Sequence, residues 1–342
     1  MNLIIIEIND FQLTVHDHKS SEQYNAYALI EKECVTFGDR ALSNIKLSPD
    51  DFYSHYWQRL GYEEINSKNE NIKHYADLAY KQLIDITAKY PNDIKVIFIT
   101  PAYYKEQQLA LLLGLAESCN LNTLALINQD IINIENVAFL GKYRVAHMGL
   151  HHCNLANIAI KEDIKLNQNE IFNELGLLEL VSYISNWCNQ SFIKHYRFDA
   201  FHSADTEQAL FDQVYKMLIQ IINTGVLTDN DISLNEKSIS VKKVDLQDKI
   251  ACFFRALFEI NGKDSLLHLT PALYNLISNT HFKHQCECIK KPTFVEFMQN
   301  RLPFIEQQKG ICLLDSLPIL KQYQNNAVKS NNAATHIVFS QY

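Results

Sequence analysis

The sequence predicts an α/β fold, because short apolar strands alternate with longer amphipathic helices along its 342 residues. The clearest example is the segment 94–137. It starts with VIFIT at 96–100, a β-branched run of the kind that a parallel sheet buries, and Pro101 ends this strand. A helix follows, and LALI at 124–127 is a second buried strand, so the segment predicts a right-handed strand–helix–strand unit. The apolar stripe of the helix consists of Leu109, Leu112, Leu113, Ala116 and Cys119.

The remaining elements follow from the same two patterns, short apolar runs for strands and apolar stripes at three- and four-residue steps for helices. In the first part of the chain the pattern predicts strands at 3–8, 11–17 and 26–32 and a helix at 71–89. A β-hairpin at 142–163 starts the pattern again. Beyond it the sequence predicts helices at 169–189, 206–223 and 246–261, a β-ribbon at 225–244, a strand at 265–269, a helix from Pro271 to about 278, and a last helix at 313–322.

Composition narrows the class of protein. The net charge is −8 and no run of Lys or Arg forms a stripe, so we expect no nucleic-acid partner. No apolar run is long enough to span a bilayer, and the start MNLIIIEI is too short and too acidic for a secretory signal, so we expect no membrane partner. The eight cysteines are scattered through mostly apolar stretches, as in a reducing cytosol, and we therefore expect a cytoplasmic protein.

The segment 94–137 resembles the ATPase domain of the 70-kilodalton heat-shock chaperones. In that family a strand ending in V-P-A-Y-F leads into a Gln-containing helix and then into A-G-L-N-V-x-x-x-I-N-E-P. Here ITPAYYKEQQ and ESCNLNTLALINQD follow in the same order and spacing. A weaker second match is YALIEKECVTFGDRALSN at 27–44, which resembles the family's strand and Gly-Asp turn before a short helix. The resemblance implies an actin-like ATPase fold, with two ribonuclease-H-like lobes around a central cleft.

This resemblance also implies a domain organisation. Lobe I would span 1–141, and lobe II would span 142–310 with a helical and β insertion at about 169–261. A C-terminal helix and tail at 311–342 would pack back between the lobes. The apolar fraction of 47% is enough for two such cores. Only a short polar stretch precedes HIVFS, so we expect neither the peptide-binding domain nor the helical lid of the chaperones.

The resemblance identifies the positions that would carry nucleotide chemistry, and most of them have changed. The family's first strand ends in I-D-L-G-T-T, whereas IEINDF places Glu7 at the Asp and Asn9 at the first Gly. The second hairpin of the family reads D-L-G-G-G-T, whereas HMGLHH has His147 at the Asp and keeps only Gly149 of the glycine run. Gln129 stands at the Glu of I-N-E-P, and it is uncharged.

Two further positions also differ from the family's pattern. Gln58 in HYWQRL stands where the family has the Lys that precedes Arg-Leu. Thr270 and Pro271 stand where the family's late strand ends in Gly-Gly beside the adenosine. Because backbone N–H groups reach a phosphate most easily through glycine, and because hydrolysis needs the lost carboxylates, we predict that ATP hydrolysis is absent. The predicted function is a pseudo-ATPase that acts as a binding, scaffold or regulatory protein with a protein partner.

The alternative is a divergent nucleotide-binding ATPase or nucleotide-dependent switch. It would bind ATP or ADP with magnesium, and Glu7, Asp10 and Asp130 would replace the usual carboxylates. The more ordinary interpretation of the two aspartates is an exposed turn carboxylate. The residues that could line a nucleotide cleft are Asn9, Asp10, Gly149, His151, His152 and Thr270.

Histidines, cysteines and aromatic residues supply the other candidate sites. His147, His151 and His152 could titrate or bind an anion, or they could be hydrogen-bonded fillers of a closed phosphate loop, which we favour. The aromatic stretch at 50–62 could anchor a partner or pack over the lobe. A further set reads H-x2-H-x-C-x-C, which is poor spacing for one tetrahedral zinc ion, so we predict no metal there and favour buried thiols and surface histidines. That set consists of His281, His284, Cys286 and Cys288.

Overall fold

The computed structural model describes residues 3–134, 140–261, 266–290, 292–308 and 310–318, and over these residues the protein is mixed α/β, as the sequence predicts. The strands are β1 (Leu3–Glu7), β2 (Gln12–His16), β3 (Ser21–Asn25), β4 (Ala28–Ile30), β5 (Val35–Phe37), β6 (Phe52–Tyr53), β7 (Lys95–Thr100), β8 (Asn122–Asn128), β9 (Gly141–Met148), β10 (His152–Ile160), β11 (Asp163–Asn173), β12 (Asn230–Leu234), β13 (Lys237–Val241), β14 (Leu267–Leu269), β15 (Cys286–Cys288), β16 (Cys312–Leu314) and β17 (Ser316–Pro318).

Most of the predicted helices are confirmed by the observed helices. They are α1 (Asp39–Leu42), α2 (Tyr75–Thr87), α3 (Glu106–Ser118), α4 (Gln129–Asn133), α5 (Leu177–Tyr196), α6 (Ala204–Thr224), α7 (Lys243–Asn261), α8 (Pro271–Ile277) and α9 (Phe294–Glu306). Short 3-10 turns lie at Pro49–Asp51, Ala200–His202 and His281–Gln285.

The first sheet contains six strands in the order β16-β8-β7-β1-β2-β3. β1 pairs antiparallel with β2 and parallel with β7, and β7 pairs parallel with β8. The predicted strand–helix–strand unit is therefore confirmed as β7, α3 and β8. The predicted strand at 26–32 is confirmed as β4, but it does not follow β2 in this sheet, because β3, which was not predicted, pairs with β2. β3 is polar and mostly exposed, so it has no apolar signal, whereas the buried β4 pairs with β5 and β6 in a separate small sheet.

The second sheet contains six strands in the order β15-β14-β9-β10-β11-β17. Five of its strands repeat the arrangement of the first sheet: β9, β10 and β11 are antiparallel neighbours, and β9, β14 and β15 are parallel neighbours. The predicted helix at 169–189 was wrong at its start, because residues 169–173 complete β11 and α5 begins only at Leu177. The chain thus uses one strand order twice.

The C-terminal part of the described chain connects the two sheets. The predicted helix at 313–322 was wrong over residues 313–318, because β16 joins β8 of the first sheet and β17 joins β11 of the second. Residues 319–322 lie outside the described residues. Pro318 explains part of the difference, because proline lacks an N–H donor and is tolerated at the edge of a sheet, where β17 lies.

Both faces of β1 are buried, which is why its sequence is a continuous apolar run rather than an alternating one. Ile4 and Ile6 belong to the core that α2 and α3 cover, whereas Leu3 and Ile5 belong to a core that also contains Ile158 of the second sheet. A third core joins β9 and β10 to the helices of the C-terminal half. The end of β1 is consequently held between two packed layers, and the residues that follow it are fixed in place.

One hydroxyl pair gives a direct test of the contact between α6 and the N-terminal part of the chain. The buried Tyr27 hydroxyl lies 2.9 Å from the hydroxyl of Tyr215 on α6. Tyr215→Phe should lower the free energy of unfolding by about 1–2 kcal/mol, because it leaves the Tyr27 hydroxyl buried without its partner. Urea denaturation of both single variants and of the double variant measures the coupling. Strictly additive effects of Tyr27→Phe and Tyr215→Phe would contradict this contact.

Candidate functional site

The candidate site lies where the turn between β1 and β2 meets the turn between β9 and β10. Asp10 is 1% exposed, and its carboxylate accepts the Leu150 N–H at 3.1 Å and the His151 N–H at 3.4 Å. A Cβ atom on Gly149 would lie 2.3 Å from Asp10 Oδ1. Glycine is therefore needed at position 149, because a carboxylate of the same chain occupies the space in front of it.

The β9–β10 turn is held from its other side by the start of α5. The Leu177 N–H donates to the Gly149 carbonyl at 3.1 Å, and the Leu178 N–H donates to the Leu150 carbonyl at 3.0 Å. A Cβ on Gly176 would lie 2.3 Å from the Leu150 carbonyl oxygen. The turn is thus fixed between a carboxylate on one side and a helix N-terminus on the other.

Electrostatics keeps Asp10 ionised. Burial alone would raise the pKa of this carboxyl, but the charge of His152, a hydrogen bond from its ring and the Leu150 N–H lower it to about 2. The His152 ring is 1% exposed, and its Nδ1 lies 3.3 Å from Asp10 Oδ2. The prediction that Asp10 is an exposed turn carboxylate was wrong. The sequence could not show this, because the partners of Asp10 lie some 140 residues away.

The side chain of Asn9 stabilises the β1–β2 turn. The Phe11 N–H donates to Asn9 Oδ1 at 2.9 Å, so the side chain makes a hydrogen bond of the kind found in Asx turns. A glycine at this position would leave the backbone open to a ligand, whereas Asn9 satisfies the local N–H group internally.

Gln58, which belongs to the aromatic stretch at 50–62, also lies beside His152. Its Nε2 lies 3.1 Å from His152 Nδ1, and its Oε1 lies 2.8 Å from His55 Nδ1. Tyr103 packs edge-on against the His152 ring, with 4.8 Å between the ring centres. The structure therefore places Gln58 beside the β9–β10 turn.

The aromatic stretch itself is mostly packed. Tyr56 and Trp57 are fully buried, and the Tyr56 hydroxyl and the Trp57 Nε1–H both donate to Gln82 Oε1 at 2.7 Å. Tyr62 is strongly exposed. This arrangement favours the packed-loop interpretation for most of the stretch and leaves Tyr62 as its exposed aromatic side chain.

His151 is held by three neighbours. Its Nε2 lies 2.9 Å from Ser54 Oγ, and its Nδ1 lies 3.1 Å from Glu179 Oε1 in the first turn of α5. The ring also stacks on His55 with 3.6 Å between the ring centres. Ser54 and Glu179 were not predicted as site residues, and neither lies in a motif that would have identified it.

A second polar cluster lies between α4 and the second sheet. Asp130 is fully buried, and its carboxylate lies 3.2 Å from His147 Nδ1 and accepts the Asn154 Nδ2–H at 2.9 Å. The exposed-turn interpretation of Asp130 was therefore wrong as well. His147, His151 and His152 are all close to carboxylates and are largely buried, which agrees with their interpretation as hydrogen-bonded fillers.

Glu7 and Gln129 form a third contact. The Gln129 Nε2–H donates to Glu7 Oε1 at 2.8 Å, and His16 Nε2 lies 3.7 Å from Glu7 Oε2. These side chains border a cavity of about 100 Å³ whose other walls are largely apolar and include Phe294 and Phe297 of α9. Glu7 therefore contacts a neutral amide at the position where the resemblance implies a metal-binding pair.

The remaining predicted residues lie elsewhere. Thr270 is buried at the start of α8, and its N–H donates to the carbonyl of Ala146 at 3.1 Å. His281 and His284 are exposed, as predicted, and Cys286 is buried in a setting that raises the pKa of its thiol to about 11. The prediction of a buried thiol was wrong for Cys288, which is exposed. Within the described residues, no three His, Cys, Asp or Glu side chains are grouped so that they could hold a metal ion.

The described residues do not fit a bound nucleotide phosphate. The two N–H groups of the β9–β10 turn that would face an anion already donate to Asp10, and the Gly149 surface is in contact with the same carboxylate. Anions and carboxylates compete for such N–H groups, so a phosphate would have to displace a buried side chain that is paired with His152.

Comparison with protein-family models gave no match for this sequence, and comparison with curated proteins gave none. The resemblance to the chaperone ATPase domain therefore stays a prediction from the residues quoted above. In the part of the chain that the structure describes, no helix combines the length and the apolar character needed to cross a membrane.

Proposed function

We propose that the protein is a two-lobed, actin-like pseudo-ATPase that acts as a binding, scaffold or regulatory protein. The repeated strand order supports the two-lobed fold, because β3-β2-β1-β7-β8 and β11-β10-β9-β14-β15 have the same sequence of antiparallel and parallel neighbours. Lobe I would end near Gly141, where β9 begins, and the insertion of lobe II would begin after β11 rather than at 169.

The observation that carries the loss of ATPase function is the position of the Asp10 carboxylate. It occupies the N–H groups of the β9–β10 turn, it is buried, and its low pKa keeps it charged at neutral pH. An internal anion therefore takes the place that a phosphate would need. The carboxylates of Glu7 and Asp130 also bind groups of the protein itself, Glu7 through Gln129 and Asp130 through His147 and Asn154.

The biological role would then come from the shape of the two lobes. We propose a protein partner in a bacterial-type cytoplasm and no nucleic-acid or membrane partner. The acidic net charge supports the absence of a nucleic-acid partner, because a phosphate backbone needs a basic surface. No cofactor is required for this role.

A magnesium-dependent ATPase assay on the purified full chain tests the proposal. We expect no phosphate release above background, and we expect Glu7→Ala to leave that background unchanged. Hydrolysis above background that Glu7→Ala abolishes would show that the site is catalytic.

A second candidate is a divergent nucleotide-dependent switch, which the contact of Glu7 with Gln129, the residue next to Asp130 in the chain, favours. It predicts that ATP or ADP with magnesium raises the melting temperature, because a ligand selective for the folded state stabilises it by mass action. The absence of any shift at millimolar nucleotide would eliminate this candidate.

A further inference from the structure

Ser54, His151 and Glu179 form one continuous hydrogen-bonded row. Ser54 Oγ lies 2.9 Å from His151 Nε2, and His151 Nδ1 lies 3.1 Å from Glu179 Oε1. The three residues come from the loop after β6, the β9–β10 turn and the first turn of α5. His151 is a candidate residue of the predicted nucleotide cleft, but neither that site nor the scaffold role assigns a function to the three residues together.

The chemistry of the three groups determines the direction of the hydrogen bonds. An ionised carboxylate can only accept, so His151 Nδ1 carries the hydrogen that faces Glu179. In the neutral imidazole, Nε2 is then the acceptor, and the Ser54 hydroxyl donates to it. A hydroxyl that donates to an imidazole, which in turn donates to a carboxylate, is the arrangement that activates a serine nucleophile.

Packing holds the imidazole in this orientation. The ring stacks on His55, and the backbone N–H of His151 donates to Asp10. The second oxygen of Glu179, Oε2, is buried and has no hydrogen-bond partner within the described residues. The carboxylate therefore directs its hydrogen bonding to His151.

The row is exposed mainly at its Glu179 end. Ser54 is 6% exposed, whereas the side chains of His151 and Glu179 are 10% and 30% exposed. A reagent that reaches Ser54 must be small, because the residue itself is largely covered. This restricts the substrate to an ester with a short acyl group.

We propose that Ser54, His151 and Glu179 hydrolyse small acyl esters, an activity that goes beyond the proposed scaffold function and does not depend on it. Ser54 Oγ forms a bond to the acyl carbon while its proton moves to His151 Nε2. The ester C–O bond then breaks, and the alkoxide leaves as an alcohol with that proton. Water repeats the two steps on the acyl-serine and releases the carboxylic acid. Ser54 and His151 are the catalytic residues, and Glu179 is a positioning residue.

Covalent labelling of the full-length protein with a small alkyl fluorophosphonate tests this proposal. The serine oxygen displaces fluoride from phosphorus, so intact mass spectrometry should show one adduct for each chain, and peptide mapping should place it on Ser54. Ser54→Ala should remove the adduct. Ser185→Ala is the matched control, because Ser185 is also buried but its hydroxyl has no partner among the described residues, and this variant should be labelled normally.

The base and the positioning residue have separate readouts. His151→Asn should slow labelling and hydrolysis of p-nitrophenyl acetate at least about 100-fold. Glu179→Gln should slow both about tenfold, whereas the conservative variant Glu179→Asp, which keeps a carboxylate facing His151, should retain most of the rate. The proposal would be overturned by the absence of an adduct on Ser54 in the wild-type protein, or by equal labelling of a folded His151→Asn variant. Either result would show that the three residues are hydrogen-bonded but not catalytic. The wild-type peptide map decides the matter even if a variant fails to fold.

Discussion

Asp10→Ala should lower the free energy of unfolding by about 3 kcal/mol or more, because each buried donor that loses its acceptor costs about 1–3 kcal/mol. The substitution leaves the Leu150 N–H without its acceptor and leaves the buried His152 ring without its carboxylate. Urea denaturation monitored by circular dichroism measures the effect. Asp85→Ala is the matched control, because Asp85 is an exposed aspartate on α2, and its replacement should change stability by less than about 0.5 kcal/mol.

The same residue predicts a dependence of stability on pH. The pKa of the Asp10 carboxyl is lowered from 3.8 to about 2 in the folded protein, so the unfolded chain binds the proton more readily. The stabilisation from ionised Asp10 is therefore complete above about pH 4 and is lost as the pH falls towards 2, with a magnitude of about 2 kcal/mol. In Asp10→Asn this part of the pH dependence should disappear. The proposed role of Asp10 between the β1–β2 and β9–β10 turns would be contradicted by either of two results. One is an unchanged dependence of stability on acid pH in Asp10→Asn, and the other is a decrease of less than about 1 kcal/mol in the free energy of unfolding of Asp10→Ala.

Gly176→Ala should destabilise the protein by about 3 kcal/mol or more. The added Cβ would lie 2.3 Å from the Leu150 carbonyl oxygen and 2.5 Å from backbone atoms of His151. Backbone cannot rotate away as a side chain can, so the start of α5 and the β9–β10 turn must separate. Denaturant unfolding measures the loss of stability, and near-ultraviolet circular dichroism reports the change in packing.

Gly114→Ala provides the matched control for the same substitution in a different setting. Gly114 is exposed within α3, and no atom lies within 4 Å of the position of its added Cβ. Alanine should therefore stabilise the protein by about 0.5–1 kcal/mol through its higher helix propensity. Equal effects of the two substitutions would show that the turn does not depend on the close approach of Gly176.

The secondary structure that the sequence predicts well is the structure with a strong apolar period. VIFIT is a continuous apolar run, and α3, α6 and α7 carry an apolar stripe. The observed bounds of β7, α6 and α7 lie within three residues of the predicted ones, and α3 contains all of its predicted stripe except Cys119. Most of the errors fall on elements that lack such a run or stripe, although the amphipathic helix α9, which contains Pro303, was not predicted either. β3 is a polar edge strand, the end of β11 is half-exposed, and residues 312–318 form short strands whose pairing depends on distant parts of the chain.

The candidate site was predictable in location but not in its contacts. The resemblance selected Asp10, Gln58, Gly149 and His152, and the structure brings these four residues together. Ser54 and Glu179 could not be found in this way, because a serine in an aromatic loop and a glutamate near the start of a helix are ordinary surface residues by sequence. Their importance comes from His151, which lies about 97 residues from one and 28 residues from the other.

Isothermal titration calorimetry of the purified full chain with magnesium and ATP tests most directly whether a nucleotide binds between the β1–β2 and β9–β10 turns. Because the Asp10 carboxylate occupies the N–H groups of the β9–β10 turn, we predict no saturable heat at millimolar nucleotide. Stoichiometric, magnesium-dependent binding by the wild-type protein would contradict this prediction and would favour a nucleotide-dependent switch.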